Sequence, residues 1–136
     1  MHRSLSFLIS SISLVALPIL LCGIGHAQLE TRVSYPTFQS PVSIGVGDFN
    51  GDGNLDIAVA AKLVNTEVSI FLGNGNGTFQ PPMNYAAGNG PASVAVADFN
   101  HDGKLDLAVA DAVSATVNVL LGNGDGTFQT ASSYPS

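Results

Sequence analysis

The sequence predicts an all-β chain built from two four-stranded antiparallel units, on three observations. The first is a motif written twice. Asp48-Phe49-Asn50-Gly51-Asp52-Gly53-Asn54-Leu55-Asp56, followed by Ile57-Ala58-Val59-Ala60, returns as Asp98-Phe99-Asn100-His101-Asp102-Gly103-Lys104-Leu105-Asp106, followed by Leu107-Ala108-Val109-Ala110. The second is that the repetition runs well beyond this motif. Tyr35, Tyr85 and Tyr134 are 50 and 49 residues apart, Pro41 matches Pro91, and Leu72-Gly73-Asn74-Gly75 matches Leu121-Gly122-Asn123-Gly124. The third is apolar alternation between Gly- and Asn-rich turns, with no sustained period of 3.6. Four-stranded units repeating near this length are what propeller blades are made of. The expected fold is therefore a partial β-propeller of two blades, preceded by a cleaved signal peptide.

In chain order, Met1-His2-Arg3 is a short positive start, and Leu5 to Leu21 is an apolar run of seventeen residues broken by four serines and Pro18. Gly25 and Ala27 then place small residues at −3 and −1 of a cleavage point, the order of a secretory signal peptide over residues 1–27. The rival reading is a retained anchor, for which this run is short. Cys22 lies inside the same segment. A lipid-anchored cysteine there would follow the bulky Leu21, and cleavage after Ala27 would leave a chain without cysteine and without a disulfide framework. The expected location is secreted, extracellular or at the cell surface. Residues 28–34 read as a linker.

Residues 35–84 form the first repeat and 85–133 the second, with 134–136 as the start of a third. In the first, the expected strands are Val42–Gly47, Asp56–Ala61, Val68–Leu72 and Phe79 to about Tyr85. The second repeats them at Ala92–Ala97, Asp106–Ala110, Val117–Leu121 and Phe128–Ser133. Gly73–Thr78 and its copy are turns, where glycine supplies positive φ for a tight hairpin and Phe79 or Phe128 returns to the core. The single-residue slip between the copies falls between Lys62 and Val68, which marks an exposed connection.

Each motif puts side-chain oxygens at loop positions 1, 3, 5 and 9, with glycine at position 6. Calcium takes six to eight oxygen ligands at roughly 2.3–2.6 Å, and a sharp glycine turn lets a short loop wrap the ion. Asp48, Asn50, Asp52 and Asp56 can supply side-chain oxygens in the first loop, with the Asn54 carbonyl at position 7. Asp98, Asn100, Asp102 and Asp106 do so in the second, with the Lys104 carbonyl. A helix–loop–helix calcium site would need a bidentate Glu at position 12, where this chain has Val59 and Val109. The same residues also make ordinary turns for backbone reasons, but two copies with one ligand spacing favour the ion.

Other chemistries find little support. The formal net charge is −6, with six of the ten acidic residues in the two loops, which excludes nucleic-acid binding through phosphate neutralisation. The Gly-rich turns lack the Lys-Ser/Thr and helix start of a phosphate loop. Asn76-Gly77-Thr78 is formally a glycosylation sequon, and an ion site at Asp125 is weakened by Asn76 in the other copy. His101 sits at loop position 4, where the first copy has Gly51. It reads as an exposed residue tolerated at positive φ, with no nucleophile to serve as base.

The repeated DFNGDGNLDIAVA and DFNHDGKLDLAVA, each followed by LGNGNGTFQ or LGNGDGTFQ, resemble FG-GAP/VCBS-type repeats. These are calcium-binding blades of integrin-alpha-like β-propellers and of many exported bacterial proteins. The resemblance extends from about Tyr35 to Tyr134. It implies one calcium site at Asp48, Asn50, Asp52, Asn54 and Asp56, and another at Asp98, Asn100, Asp102, Lys104 and Asp106. The family's Gly-Ala-Pro cue is approximated by Gly90-Pro91 and Ser40-Pro41. Propellers close with about four to eight blades, whereas two repeats are written here. Three explanations stand open: a truncated gene or fragment, assembly of several chains into one ring, or a small calcium-dependent β module. The expected function is a secreted, non-catalytic, calcium-stabilised module for protein or glycan interaction and adhesion. The alternative is the propeller portion of an extracellular polysaccharide-active enzyme.

Overall fold

In a computed structural model the described residues are 33–35, 40–62 and 67–136. The signal-peptide segment and the slip at residues 63–66 lie outside them. The described chain has no helix. It has eight strands in two sheets: β1 (Pro41–Gly47), β2 (Asp56–Ala61), β3 (Glu67–Phe71) and β4 (Met83–Ala86), then β5 (Pro91–Ala97), β6 (Asp106–Asp111), β7 (Thr116–Leu120) and β8 (Ser132–Pro135). Each sheet is an antiparallel meander in sequence order, β1-β2-β3-β4 and β5-β6-β7-β8. This is the order of a propeller blade, and the all-β expectation holds.

Alternation explains why the strands fold as they do. Side chains two apart share a face. Ser43, Gly45 and Gly47 of β1 turn toward the second sheet, whereas Val42, Ile44 and Val46 turn away from it. β2 and β3 are paired on both edges, and their residues are buried on both faces almost throughout. Val68 and Ile70 of β3 are fully buried, and so nearly are Ser69 and Phe71 on the opposite face. The core is continuous across the blades and includes Phe49, Ala58, Ala60, Val68, Ile70, Val94, Leu107, Val109, Leu120 and Phe128.

The fourth strands differ from expectation. Phe79 and Phe128 do not open them. They make isolated bridges back to Gly73 and Gly122, and the Gln80 and Gln129 amides then reach the Leu72 and Leu121 carbonyls at 2.8 Å. Pairing lapses before Met83 and Ser132. In the first copy Pro81 and Pro82 supply no N–H there. The first strands are also longer by their proline, because a bulge between Pro41 and Ser43, repeated between Pro91 and Ser93, lets that residue rejoin the ladder.

Both phenylalanines nonetheless reach the apolar interior. Phe128 packs edge-on against Phe49 at 5.5 Å and against Tyr85 at 5.6 Å between ring centroids, joining one blade to the other. Phe79 packs against Tyr35 at 5.4 Å. Edge-to-face packing matches the positive ring edge to the negative ring face.

Candidate metal loops

Each loop connects the first strand of a blade to the second, and its side chains bend back on its own amides. Asp48 Oδ1 accepts from the Gly51 and Asp52 amides at 2.7 and 3.2 Å, and Oδ2 accepts from Gly53 at 2.9 Å. Asn50 Oδ1 accepts from the Asp52 amide (3.0 Å), and Asp52 Oδ1 from the Asn54 amide (2.7 Å). The Asn50 side-chain amide also donates to Asp52 Oδ2 at 3.0 Å. The second loop repeats the ladder. Asp98 accepts from Asp102 and Gly103 (3.1 and 2.8 Å), Asn100 from Asp102 (3.0 Å), and Asp102 from Lys104 (2.9 Å).

Positive φ makes this compact path available. Gly51 and Gly53 have φ of 74° and 84°. In the second loop His101 takes 63° and Gly103 83°. His101 is exposed, in the left-handed conformation expected from its alignment with Gly51.

Asp56 and Asp106 behave differently from the other aspartates. Both are fully buried at the start of the second strand of their blades. Asp56 accepts the Phe49 amide on Oδ2 (2.8 Å) and the Gly73 amide on Oδ1 (2.7 Å). Asp106 accepts Phe99 (2.9 Å) and Gly122 (2.8 Å) in the same way. Each thus ties the ion-type loop to the Gly-rich turn. The structure brings Asp48, Asn50 and Asp52 into one exposed ladder, with Asp56 below it as a buried brace. Among the described residues no three acidic, histidine or cysteine side chains converge on one point.

The donor set still suits a hard cation. It consists of carboxylate and amide oxygens, with no sulfur and no imidazole in the ladder. Each oxygen has two lone pairs, and outside the first aspartate of each loop, Asp48 and Asp98, each accepts a single hydrogen bond from within its loop. Hydrogen bonding also favours the charged forms. The Asn54 amide and then the Asn50 side chain hold Asp52 below its ordinary value. Desolvation pushes Asp98 upward, but the Gly103, Asp102 and His101 amides outweigh it and the net direction is down. The side chains at position 7 lie across the Gly-rich turns, Asn54 against Gly75 and the Lys104 stem against Gly124.

Asp125 has a structural role that sequence reasoning did not assign. It caps its turn, accepting from the Thr127 amide at 2.9 Å and from the Thr127 hydroxyl. Asn76 does the same with Thr78 in the first copy. Asp111 was missed altogether. It is buried at the end of β6 and accepts from the Asn89, Val113 and Ser114 amides. Its one signal in the sequence is a departure from the repeat, since the first copy has Ala61 there.

Residues 48–109 match the family model of the FG-GAP-like repeat. That span begins at the first loop and ends in β6, so it contains both ladders and is offset from the structural blades. No curated protein and no solved structure matches the chain. With two loops of one design, each joining the first two strands of the same four-stranded meander, and a family match across both, residues 48–109 are an FG-GAP-like repeat region.

Proposed function

We propose that the chain is a secreted, non-catalytic repeat module in which each loop holds one calcium ion, and that it recognises an extracellular protein or glycan. The observation carrying this reading is the identical oxygen ladder in both loops, each braced from below by a buried aspartate. Asp48, Asn50 and Asp52 would hold one ion, and Asp98, Asn100 and Asp102 the other. Asp56 and Asp106 would set the loop height, adding an oxygen if they turn toward the ion. Calcium supplies positive charge that offsets repulsion among the carboxylates. The Asn54 and Lys104 carbonyls are the backbone ligands this reading assigns.

The test is calorimetric titration of the purified protein with calcium and, separately, with magnesium. Two calcium sites per chain are expected, lost in Asp52→Ala and Asp102→Ala one at a time. Absence of calcium heat, with both variants titrating like the parent, would sink the reading. Export is tested by the mass of the protein recovered from culture medium, which should correspond to a start at Gln28. A glycan array beside a polysaccharide-degradation assay separates recognition from catalysis. Binding without product is the expected result.

A further inference from the structure

The contact between the two blades has two halves, and the repeat places a second, unpaired example of each half on an outer face. One half comes from the second blade. Its Val94 and Val96 press on Gly45, where an added methyl would lie 2.6 Å from Val96 Cγ2, and Leu105 presses on Gly47 at the same spacing. The other half comes from the first blade. Its Phe49 ring meets Phe128, and its Phe49 carbonyl accepts the Gly126 amide at 2.9 Å.

The repeat maps Val94, Val96 and Leu105 onto Ile44, Val46 and Leu55, which are 62%, 52% and 67% exposed. It maps Phe49, only 3% exposed, onto Phe99, which is 46% exposed. It also maps Gly126 onto Gly77, whose amide has no backbone acceptor among the described residues. The crevices agree. Between the blades, Asp48, Phe49 and Gly51 form one wall of a crevice of about 220 Å³ beside Lys104, Leu105 and Gly124. The matching crevice on the first blade, beside Asn54, Leu55, Gly75 and Phe79, lacks that wall and is about 360 Å³.

We propose that a second copy of this chain supplies the wall. Its 98–101 loop enters the crevice of the first blade, Phe99 packs on Phe79, and the Phe99 carbonyl accepts the Gly77 amide. Ile44 and Val46 then face its Ala95 and Ala97, whose methyls stand where Gly45 and Gly47 have none, so the facing strands sit further apart there than in the internal contact. The occupant follows from continuity with the internal interface, since both open halves repeat surfaces that already fit each other, apart from Ala95 and Ala97 in place of Gly45 and Gly47. Tyr35 already stands on Phe79 as Tyr85 stands on Phe128. Tyr134 of the incoming copy is therefore redundant, and β8, exposed along all four residues, is the element that gives way. The arrangement is head-to-tail, which yields a ring if the rotation closes and an open string if it does not.

Light scattering on the purified protein in calcium buffer, over a micromolar concentration series, tests this. The expected mass is at least twofold that of one chain. Ile44→Asp and Phe99→Asp should each give a monomer with the parent's circular dichroism, since both positions are exposed. Ile44→Ser and Phe99→Ser serve if an aspartate unfolds the blade. Mixing the two variants should restore a dimer and nothing larger, because each keeps one intact half. A monomeric parent would overturn the proposal and leave blades of a longer chain, or the N-terminal segment, as the cover. A mixture that stays monomeric, or a Phe99 variant that assembles like the parent, would overturn it equally.

Discussion

Asp56 accepts the Gly73 amide at 2.7 Å across 17 residues of sequence, and its other oxygen accepts Phe49 at 2.8 Å. One carboxylate therefore fixes the distance between the ion-type loop and the turn that follows β3. Asp56→Asn would set a side-chain NH₂ against a backbone N–H in a fully buried site. The expected cost is about 3 kcal/mol, the scale for losing a charge-assisted hydrogen bond and stranding a buried donor. Urea unfolding without calcium would measure it. Asp52→Asn, on the exposed ladder, should leave the same midpoint almost unmoved while weakening calcium binding. Equal effects from the two variants would contradict the brace.

Calcium should raise the melting temperature, and chelation should lower it. A ligand that binds only the folded state at one hundred times its dissociation constant contributes about 2.7 kcal/mol per site. Without it, three carboxylates per loop repel one another. A scan in calcium against one in chelator measures this directly, and coincident transitions would refute it.

Asp111 sets an expected pH dependence. Burial pushes its carboxyl up, but the Ser114 hydroxyl and the Asn89, Ser114 and Val113 amides outweigh this and hold it well below the ordinary carboxylate range. A depressed folded-state value contributes stability above the unfolded value, near pH 4, and loses it as pH falls through the folded one. The stability gap between the parent and Asp111→Asn should be widest at neutral pH, about 1–3 kcal/mol. It should shrink below about pH 4. Running both proteins in chelator removes the ion's contribution. A gap that stays constant down to low pH would refute the assignment.

Two glycines separate steric from conformational need. A Cβ at Gly73 would collide with the Leu55 carbonyl oxygen, a backbone atom that cannot step aside. Gly51 has open space around it but a φ of 74°. Gly51→Ala should therefore cost about 1–2 kcal/mol, the penalty for an L-residue in the left-handed region. Gly73→Ala should cost more and shift the turn. Thermal melts of the two variants would rank them, and the reverse order would count against the geometry.

The cross-strand pair Ser69–Asn84 recurs in the second blade as Asn118–Ser133, with the partners exchanged. The double swap Ser69→Asn with Asn84→Ser should retain stability within about 1 kcal/mol. Ser69→Asn alone should lose more, by crowding two amides. Denaturant midpoints for the single and double variants would decide it.

The sequence alone determined the two units, their strands to within a few residues, and the oxygen ladder with His101 standing in for a glycine. Those are local properties: alternation, turn chemistry and ligand spacing act within a few residues of one another. Tertiary structure decided what distance along the chain conceals. Phe79 and Phe128 look like strand residues by composition, but their rings are claimed by tyrosines far back along the chain, Tyr35 and Tyr85, and pairing lapses behind them. Asp56 and Asp106 share the spacing of the ladder, yet become braces because folding of the sheet brings the turns after β3 and β7 above them. Asp111 and Asn118 face amides and carbonyls that only the closing of the second blade supplies. Which face of a blade is open and which is covered follows from stacking, and two near-identical repeats spell both faces the same way.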